Sequence, residues 1–288
     1  MRNIVIVPNN YKDRDYAVSC RVAAQLQALG ARIFLAESLR HEISLDGIQY
    51  YEGAIPEEAE MLLVIGGDGS VLDAAAYAIG AGVPLLGINL GRLGYLAELD
   101  RDELDSLSRL IEGDFEIRER MTFAVTLVHG GEETILSRRA VNDVVIAQAP
   151  GEGMSEILLE DGIGHHLAYL ADGVIVATPL GSTAYSLAAG GPVMDASLSA
   201  FCVTPICAHS LFSRSVLFPP EYTLTLTNHS AREGKMLVTV DGAEQYELMP
   251  GDEVRVARSA DALKMITLKK QSALGVLCRK MQLLNPGR

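Results

Sequence analysis

Gly66-Gly67-Asp68-Gly69-Ser70 is the segment whose residue types point most directly to chemistry. Its glycines let backbone N–H groups come close to an anion. A helix that follows adds unpaired donors and the positive end of its dipole. Ser70 is placed to cap such a helix. Asp68 is the odd member, because a carboxylate repels phosphate. It has two uses beside one: accepting the proton of a hydroxyl, or holding a Mg²⁺ ion that neutralises the phosphates. The plain alternative is an aspartate that satisfies the amides of its own turn. Three glycines around one acid, at the carboxyl end of an apolar strand, are better explained by a ligand site.

Three further constellations carry polar groups at strand ends. Gly87-Ile-Asn-Leu-Gly91-Arg92-Leu-Gly94-Tyr95-Leu96 follows a strand, and its loop is expected on the same sheet edge as Asp68. Tyr95 there either stacks on a ring or anchors a wide turn. Asn142 and Asp143 sit in the apolar run Ala140–Ala147, read as one strand, so they point to opposite faces. A buried amide or carboxylate needs a partner from the fold or from a ligand. Asparagine suits a base edge, and aspartate suits a ribose diol. Asp172 to Tyr185 is a third glycine-bearing strand-to-helix junction, shaped by Pro179 and Gly181, with Ser182 or Thr183 offering a hydroxyl at the helix start. Asp241-Gly242 resembles a hairpin turn. His165-His166 lacks a third ligand and argues against a metal site. His209-Ser210 near Arg214 lacks a nucleophile elbow. Lys264, Lys269, Lys270, Arg279 and Lys280 read as a solvated basic face.

These segments need strands and helices to hold them. Asn3–Val7, Arg32–Leu35, Met61–Ile65 and Pro84–Ile88 are short apolar runs, the pattern of a parallel sheet covered on both faces. Between them Asp13–Leu29 and Val71–Ile79 carry helical spacing. Asp102–Ile111 reads as a connecting helix. From about residue 115 the chain turns β-rich. Phe123–Val128, Val141–Ala147, Ser155–Leu159, His166–Leu170, Val174–Ala177, Tyr222–Thr227, Met236–Val240, Glu253–Ala257 and Leu263–Leu268 are separated by turn residues. The expectation is a Rossmann-like α/β domain over residues 1–115 and a β-sandwich domain over 116–265. One helical stretch, Ser182–Ala189, interrupts the β pattern.

Composition narrows the function. Of 288 residues, 49% are hydrophobic and 21% charged, as in a folded globular protein. A formal net charge of −13 opposes nucleic acid as a partner, since wrapping its backbone needs a basic surface. No apolar stretch reaches the roughly 18 residues of a membrane span. The N-terminal run has no small-residue cleavage site after it and reads as a first strand. Cys20, Cys202, Cys207 and Cys278 have no paired spacing and read as free buried thiols in a reducing cytoplasm.

Taken together, the segments resemble the NAD kinase family of the bacterial type. The order is a Gly-Gly-Asp-Gly turn, Gly-Arg-Leu-Gly-Tyr, Asn142-Asp143, Thr-Pro-Leu-Gly-Ser-Thr-Ala-Tyr-Ser from Thr178, Ala-Gly-Gly-Pro, then Pro-Ile-Cys-Ala-His-Ser-Leu and Asp241-Gly242. The match runs from Asn3 to about Asp241. The first motif is shared with diacylglycerol and sphingosine kinases; the Thr178–Tyr185 segment with Asn142-Asp143 is far more specific. The resemblance implies transfer of the terminal phosphoryl of ATP, or of polyphosphate, to the adenosine ribose 2′-hydroxyl of NAD. It implies Asp68 as the base, with Gly66, Gly67, Gly69 and Ser70 around the phosphates and Gly69 also near NAD. Asn142, Thr183 and Ala184 would read the adenine, Asp143 would hold ribose hydroxyls, and Tyr185 would pack on the sugar. Asp172 would contact the nicotinamide amide, Tyr95 and Leu96 would line the adenine pocket, and Asp241 matches an acid of the family's site. A divalent cation, Mg²⁺ or another, a cytoplasmic homodimer or homotetramer, and residues 266–288 returning to the first domain are also implied. Ser70 replaces the commoner threonine, Leu180 a small polar residue, and Ala208 and Ser215 two prolines. The competing readings are a lipid kinase and a non-catalytic NADP(H)-binding sensor. The absence of a lysine-bearing P-loop means that backbone amides and a cation must hold the phosphates.

Overall fold

Runs that are apolar on both faces build the first sheet. The computed structural model describes residues 1–91, 94–151, 153–209, 213–230, 234–243, 245–269 and 275. In chain order the first elements are β1 (Asn3–Pro8), α1 (Ala17–Ala28), β2 (Arg32–Ala36), β3 (Gln49–Tyr51), β4 (Met61–Gly66), α2 (Asp68–Ala81), β5 (Leu85–Asn89) and β6 (Leu99–Asp100). Then come α3 (Ser108–Glu112) and β7 (Glu116–Arg120). The second region carries β8 (Phe123–His129), β9 (Glu132–Ala140), β10 (Asp143–Gln148), β11 (Ser155–Glu160), β12 (His166–Ala171), β13 (Gly173–Ala177) and α4 (Tyr185–Ala188). It continues with β14 (Phe201–Ile206), β15 (Val216–Phe218), β16 (Leu224–Asn228), β17 (Met236–Val240), β18 (Gln245–Leu248) and β19 (Glu253–Arg258); β20 (Leu263–Thr267) follows.

Two compact units result: Met1–Arg120 with Leu263–Arg288, and Met121–Ala262. The first is an α/β unit whose strand order is β3-β2-β1-β4-β5-β20-β7, with β6 beside β5. Its strands run parallel except where β20 meets β7. Chain order reverses between β1 and β4, which are paired from Ile4↔Met61 to Pro8↔Ile65. Loops after β1 and β4 therefore leave the sheet side by side, at the switch point where open α/β sheets bind ligands. Helix α1 buries Val22, Ala23 and Leu26, and α2 buries Val71, Ala74, Ala75 and Ala78. The second unit is all-β, with antiparallel sheets β15-β14-β13-β10-β17-β18 and β12-β11-β16-β19-β8-β9. Phe123, Val125, Leu226 and Val254 of one sheet pack with Val144, Ile146, Val174 and Phe201 of the other, which makes it a sandwich.

Several expectations need correction. Helix α1 starts at Ala17 rather than Asp13, because the Asp13 carboxylate takes the amides of Val18 and Ser19. Strand β20, read with the sandwich, pairs with β5 and β7 in the first sheet. Its alternating pattern announces a strand but not which sheet will take it. Likewise residues 116–120, placed within the sandwich domain but not read as a strand, form β7 at the edge of that first sheet. Strand β9 went unread, since its mostly exposed, charged sequence hides the alternation. Of the described cysteines only Cys202 is buried, while Cys20 is half-buried and Cys207 exposed. Arg92, Ser210, Lys270, Cys278, Arg279 and Lys280 lie outside the described residues.

Candidate functional site

In the first unit three loops meet at the carboxyl ends of parallel strands. The β4 strand ends in Gly66, and Gly67 precedes α2, which begins at Asp68. Ser70 is thus the third residue of the helix, not its cap. Its Oγ accepts a long bond (3.5 Å) from the Gly67 amide and a strong one (2.7 Å) from Asn9 Nδ2 in the loop after β1. Asn9 Oδ1 takes the amides of Tyr11 and Lys12 at 3.0 and 3.1 Å. The loop after β5 is tied down by Asn89, whose Oδ1 accepts the Gly91 amide and whose Nδ2 donates to Asp100. Asp68 joins the turn to this loop: Tyr95 N donates to Oδ1 (2.8 Å) and Oδ2 (2.6 Å), and Leu96 N donates to Oδ1 (2.9 Å). The carboxylate is therefore held rigidly and half-exposed, and Oδ2 keeps a lone pair. Gly69 is exposed, and a side chain there would meet nothing within 4 Å.

In the second unit the polar groups gather where the chain changes sheets. Strand β9 ends at Ala140 and β10 begins at Asp143, so Val141 and Asn142 form a corner. That corrects the reading of one continuous strand. Asp241, at the end of β17, adopts φ 51° and points its carboxylate into this corner. Oδ2 takes the Val141 amide (2.7 Å), and Oδ1 takes those of Asn142 (2.7 Å) and Asp143 (3.1 Å). Thr178 binds the other side: its amide donates to Asn142 O, and its hydroxyl donates to Val141 O at 2.6 Å and accepts from Gly181 N. Gly181 lies so close that a Cβ would overlap the Asn142 carbonyl. Asp143 is only 5% exposed. Burial, and then the charge of Asp241, push its carboxyl up to about 6 against the Tyr185 amide bond that favours ionisation. Burial also raises the Asp241 carboxyl, despite its three amide donors. Asn142 Oδ1 is enclosed and has no hydrogen-bond partner among the described residues.

Residues 4–115 match the ATP-NAD kinase N-terminal domain, and residues 141–268 match the ATP-NAD kinase C-terminal domain. The chain belongs to the NAD kinase family. Its relatives include NAD kinases of Natranaerobius thermophilus (33% identical over 285 residues, 98% of each chain) and Symbiobacterium thermophilum (35% over 284 residues, 98% of this chain and 99% of that one). The fold is similar to that of yeast NADH kinase complexed with NADH, with a TM-score of 0.83, 23% identity, and coverage of 100% of this chain and 88% of that one. It is also similar to an Archaeoglobus fulgidus NAD kinase in complex with ATP, with a TM-score of 0.67, 19% identity, and coverage of 98% and 99%. These matches give no support to a lipid kinase or to a non-catalytic sensor.

Set against the residues expected of an NAD kinase, the structure joins Asp68 to Tyr95 and Leu96 through backbone amides, with the Leu96 side chain buried. It joins Asn142, Asp143 and Asp241 with Thr178, Gly181 and Tyr185. Ser182 is fully buried, with its hydroxyl between Pro179 O and Met194 N, so it is structural. Thr183 hydrogen-bonds to Leu180 O, and the Ala184 amide to Gly181 O. Asp172 stands apart from this group. It precedes β13 at Gly173, which pairs with Ala147, whereas Asp143 pairs with Ala177 at the other end. At about 3.3 Å per residue the separation along the strand is roughly 17 Å. Sequence reasoning missed Asn9, Lys12 and Asn89. The available signal was position alone, since each sits at or just after the end of a strand ending on the Asp68 edge.

Proposed function

We propose that the chain transfers the terminal phosphoryl group of ATP to the 2′-hydroxyl of the adenosine ribose of NAD, giving NADP and ADP. Phosphorylation of NAD follows from membership of the family. The residue roles rest on the geometry above, and above all on an Asp68 carboxylate fixed by two amides with a lone pair left at Oδ2. Asp68 takes the hydroxyl proton as the ribose oxygen attacks the phosphorus. The amides at Gly67 and Gly69 and the first turn of α2 face the phosphates. Asp143 accepts the ribose hydroxyls, and Tyr185 packs on the sugar. Asn142, whose Oδ1 is unpartnered among the described residues, accepts from the adenine amino group, with Thr183 and Ala184 beside it. Asp241 acts through the others, by holding the corner that presents Asn142 and Asp143.

Among the described residues no group of three or more His, Cys, Asp or Glu side chains is arranged to hold a metal. The single half-exposed carboxylate of Asp68 fits a divalent ion that arrives on the nucleotide, because Mg²⁺ commonly takes one or two carboxylates and completes its shell with substrate phosphates and water. Such an ion neutralises phosphate charge, and Asp68 is the carboxylate at the turn that would meet it. We further propose a cytoplasmic homodimer or homotetramer. The described cysteines are free, as in a reducing compartment, and no helix among the described residues is long and apolar enough to cross a membrane. A coupled NADP assay with ATP and polyphosphate side by side tests the activity and its donor. Absence of NADP with either donor, in the presence of Mg²⁺, would overturn the reading.

A further inference from the structure

We propose that Lys12 is a further catalytic residue, whose ammonium binds the β- and γ-phosphates of the donor and stabilises the leaving diphosphate. The inference rests on the kinase reading above. Gly67 has φ −137° and ψ −170°, extended backbone that any residue adopts, so its conformation does not call for glycine. The space over its Cα is where the lysine lies: a Cβ there would fall on Lys12 Nζ, with Lys12 Cε at 3.3 Å and Cδ at 3.6 Å. The same ammonium lies 3.6 Å from a Cβ built on Gly91. A lysine side chain thus runs along the bare backbone before α2, between the loops after β4 and β5.

Lys12 is placed there by design of the first loop. β1 and β4 pair through Pro8↔Ile65, and the Asn9 amide continues that pairing onto Ile65 O at 2.9 Å. The Asn9 side chain then ties Ser70 to the amides of Tyr11 and Lys12. Lys235 is paired with Glu247, Lys269 with Glu103, and Lys264 reaches Gly82 O. Lys12 makes no ion pair among the described residues. An unpaired ammonium beside the free amides of a 14-residue helix is a cation in need of an anion. In a chain of net charge −13 it gives an anionic substrate a local attraction against the overall field.

The step balances without any further reactant. The ribose 2′-oxygen forms a bond to the γ-phosphorus, and the bond from that phosphorus to the β,γ-bridging oxygen breaks. Its electron pair leaves on ADP, and the hydroxyl proton goes to Asp68. Lys12 transfers no proton; its charge faces the oxygens that gain negative charge. It supplies the lysine that the absent P-loop motif would otherwise provide, from a different strand.

Two measurements on the full chain decide the matter. Titration calorimetry with MgATP, in the absence of NAD, is expected to show at least tenfold weaker binding for Lys12→Met, with Lys12→Arg in between. Equal ATP affinity in wild type and Lys12→Met overturns the proposal whatever the acceptor proves to be. In the NADP assay, Lys12→Met is expected to lower kcat by roughly 10²–10³-fold, the usual cost of one transition-state charge contact, with KM for NAD within twofold. A loss confined to KM for NAD also overturns it. Wild-type protein that binds ATP but makes no NADP would instead sink the kinase reading, while the ATP titration still decides the role of Lys12.

Discussion

Asp68 and Asp241 each collect backbone amides, yet they do so in opposite surroundings. Asp68 ties down one loop, that of Tyr95 and Leu96, and remains half-exposed beside an open glycine and a helix N-terminus. Asp241 closes a corner on three consecutive amides, packed so tightly that Gly181 admits no side chain. Phosphoryl transfer asks for room, donors and charge, and the acid proposed for it is held by two amides at a half-exposed position with a lone pair left on Oδ2. Reading a base and a sugar, the task proposed for the corner, asks for fixed shape and buried partners, and Asp241 is spent on rigidity. On the proposed roles, the same chemical device, a carboxylate on amides, would serve reaction in one unit and recognition in the other.

The largest test of that contrast is Asp68→Asn. Turnover should fall by roughly 10²–10⁴-fold while the dissociation constant for NAD, read by calorimetry, stays within twofold; undiminished turnover would remove Asp68 from the reaction. Gly181→Ala should act on the other unit, through stability. Overlap with the Asn142 carbonyl is expected to cost ~3 kcal/mol, a drop in Tm of roughly 6–12 °C in a calorimetric scan, with NAD affinity lost in step. Unchanged NAD binding would mean that this corner reads nothing. Asp241→Asn keeps the shape but sets an amide donor against backbone donors. A loss of ~2 kcal/mol in chemical denaturation is expected, and relief of the like charge should lower the Asp143 carboxyl.

The smallest effect is a pH dependence. The Asp143 carboxyl, raised to about 6 by burial and by Asp241, is protonated on the acid side of that value. In the role proposed for it the ionised form would accept both ribose hydroxyls, so KM for NAD should rise as pH falls from 7 to 5, and Asp143→Asn should lack that slope. Stability without ligand runs the other way. A raised carboxyl adds no penalty below its unfolded value near about 4 and its full penalty above about 6. Wild type should therefore lose Tm relative to Asp143→Asn between those values.

How much was legible in the sequence follows from where the information sits. The strands β1, β4 and β5 and the helix α2 announced themselves, because their apolar runs and glycine stops are local. So did Asp68 and Asn142-Asp143, whose residue types do not belong beside apolar strands. Asp241 was visible only as a turn or by resemblance; its task, holding a corner about a hundred residues away in sequence, depends on β10 pairing with β17. Lys12 was not visible at all, since an exposed lysine after a strand is ordinary until the space above Gly67 is known. Strand β20 was read as a strand, but its partner is a long-range choice that no local pattern encodes.

That strand has a consequence for how the chain is made. Residues 121–262 are contiguous and can collapse as soon as they leave the ribosome, whereas the first sheet lacks its β20 rung, which among the described residues links β5 to β7, until residues 263–267 have followed. Until then β5, paired with β6 only at Ile88 and Asn89, presents the rest of its border to any passing strand. The nascent enzyme is thus expected to complete its inserted half first and its amino-terminal half last, the reverse of the order in which the two are begun.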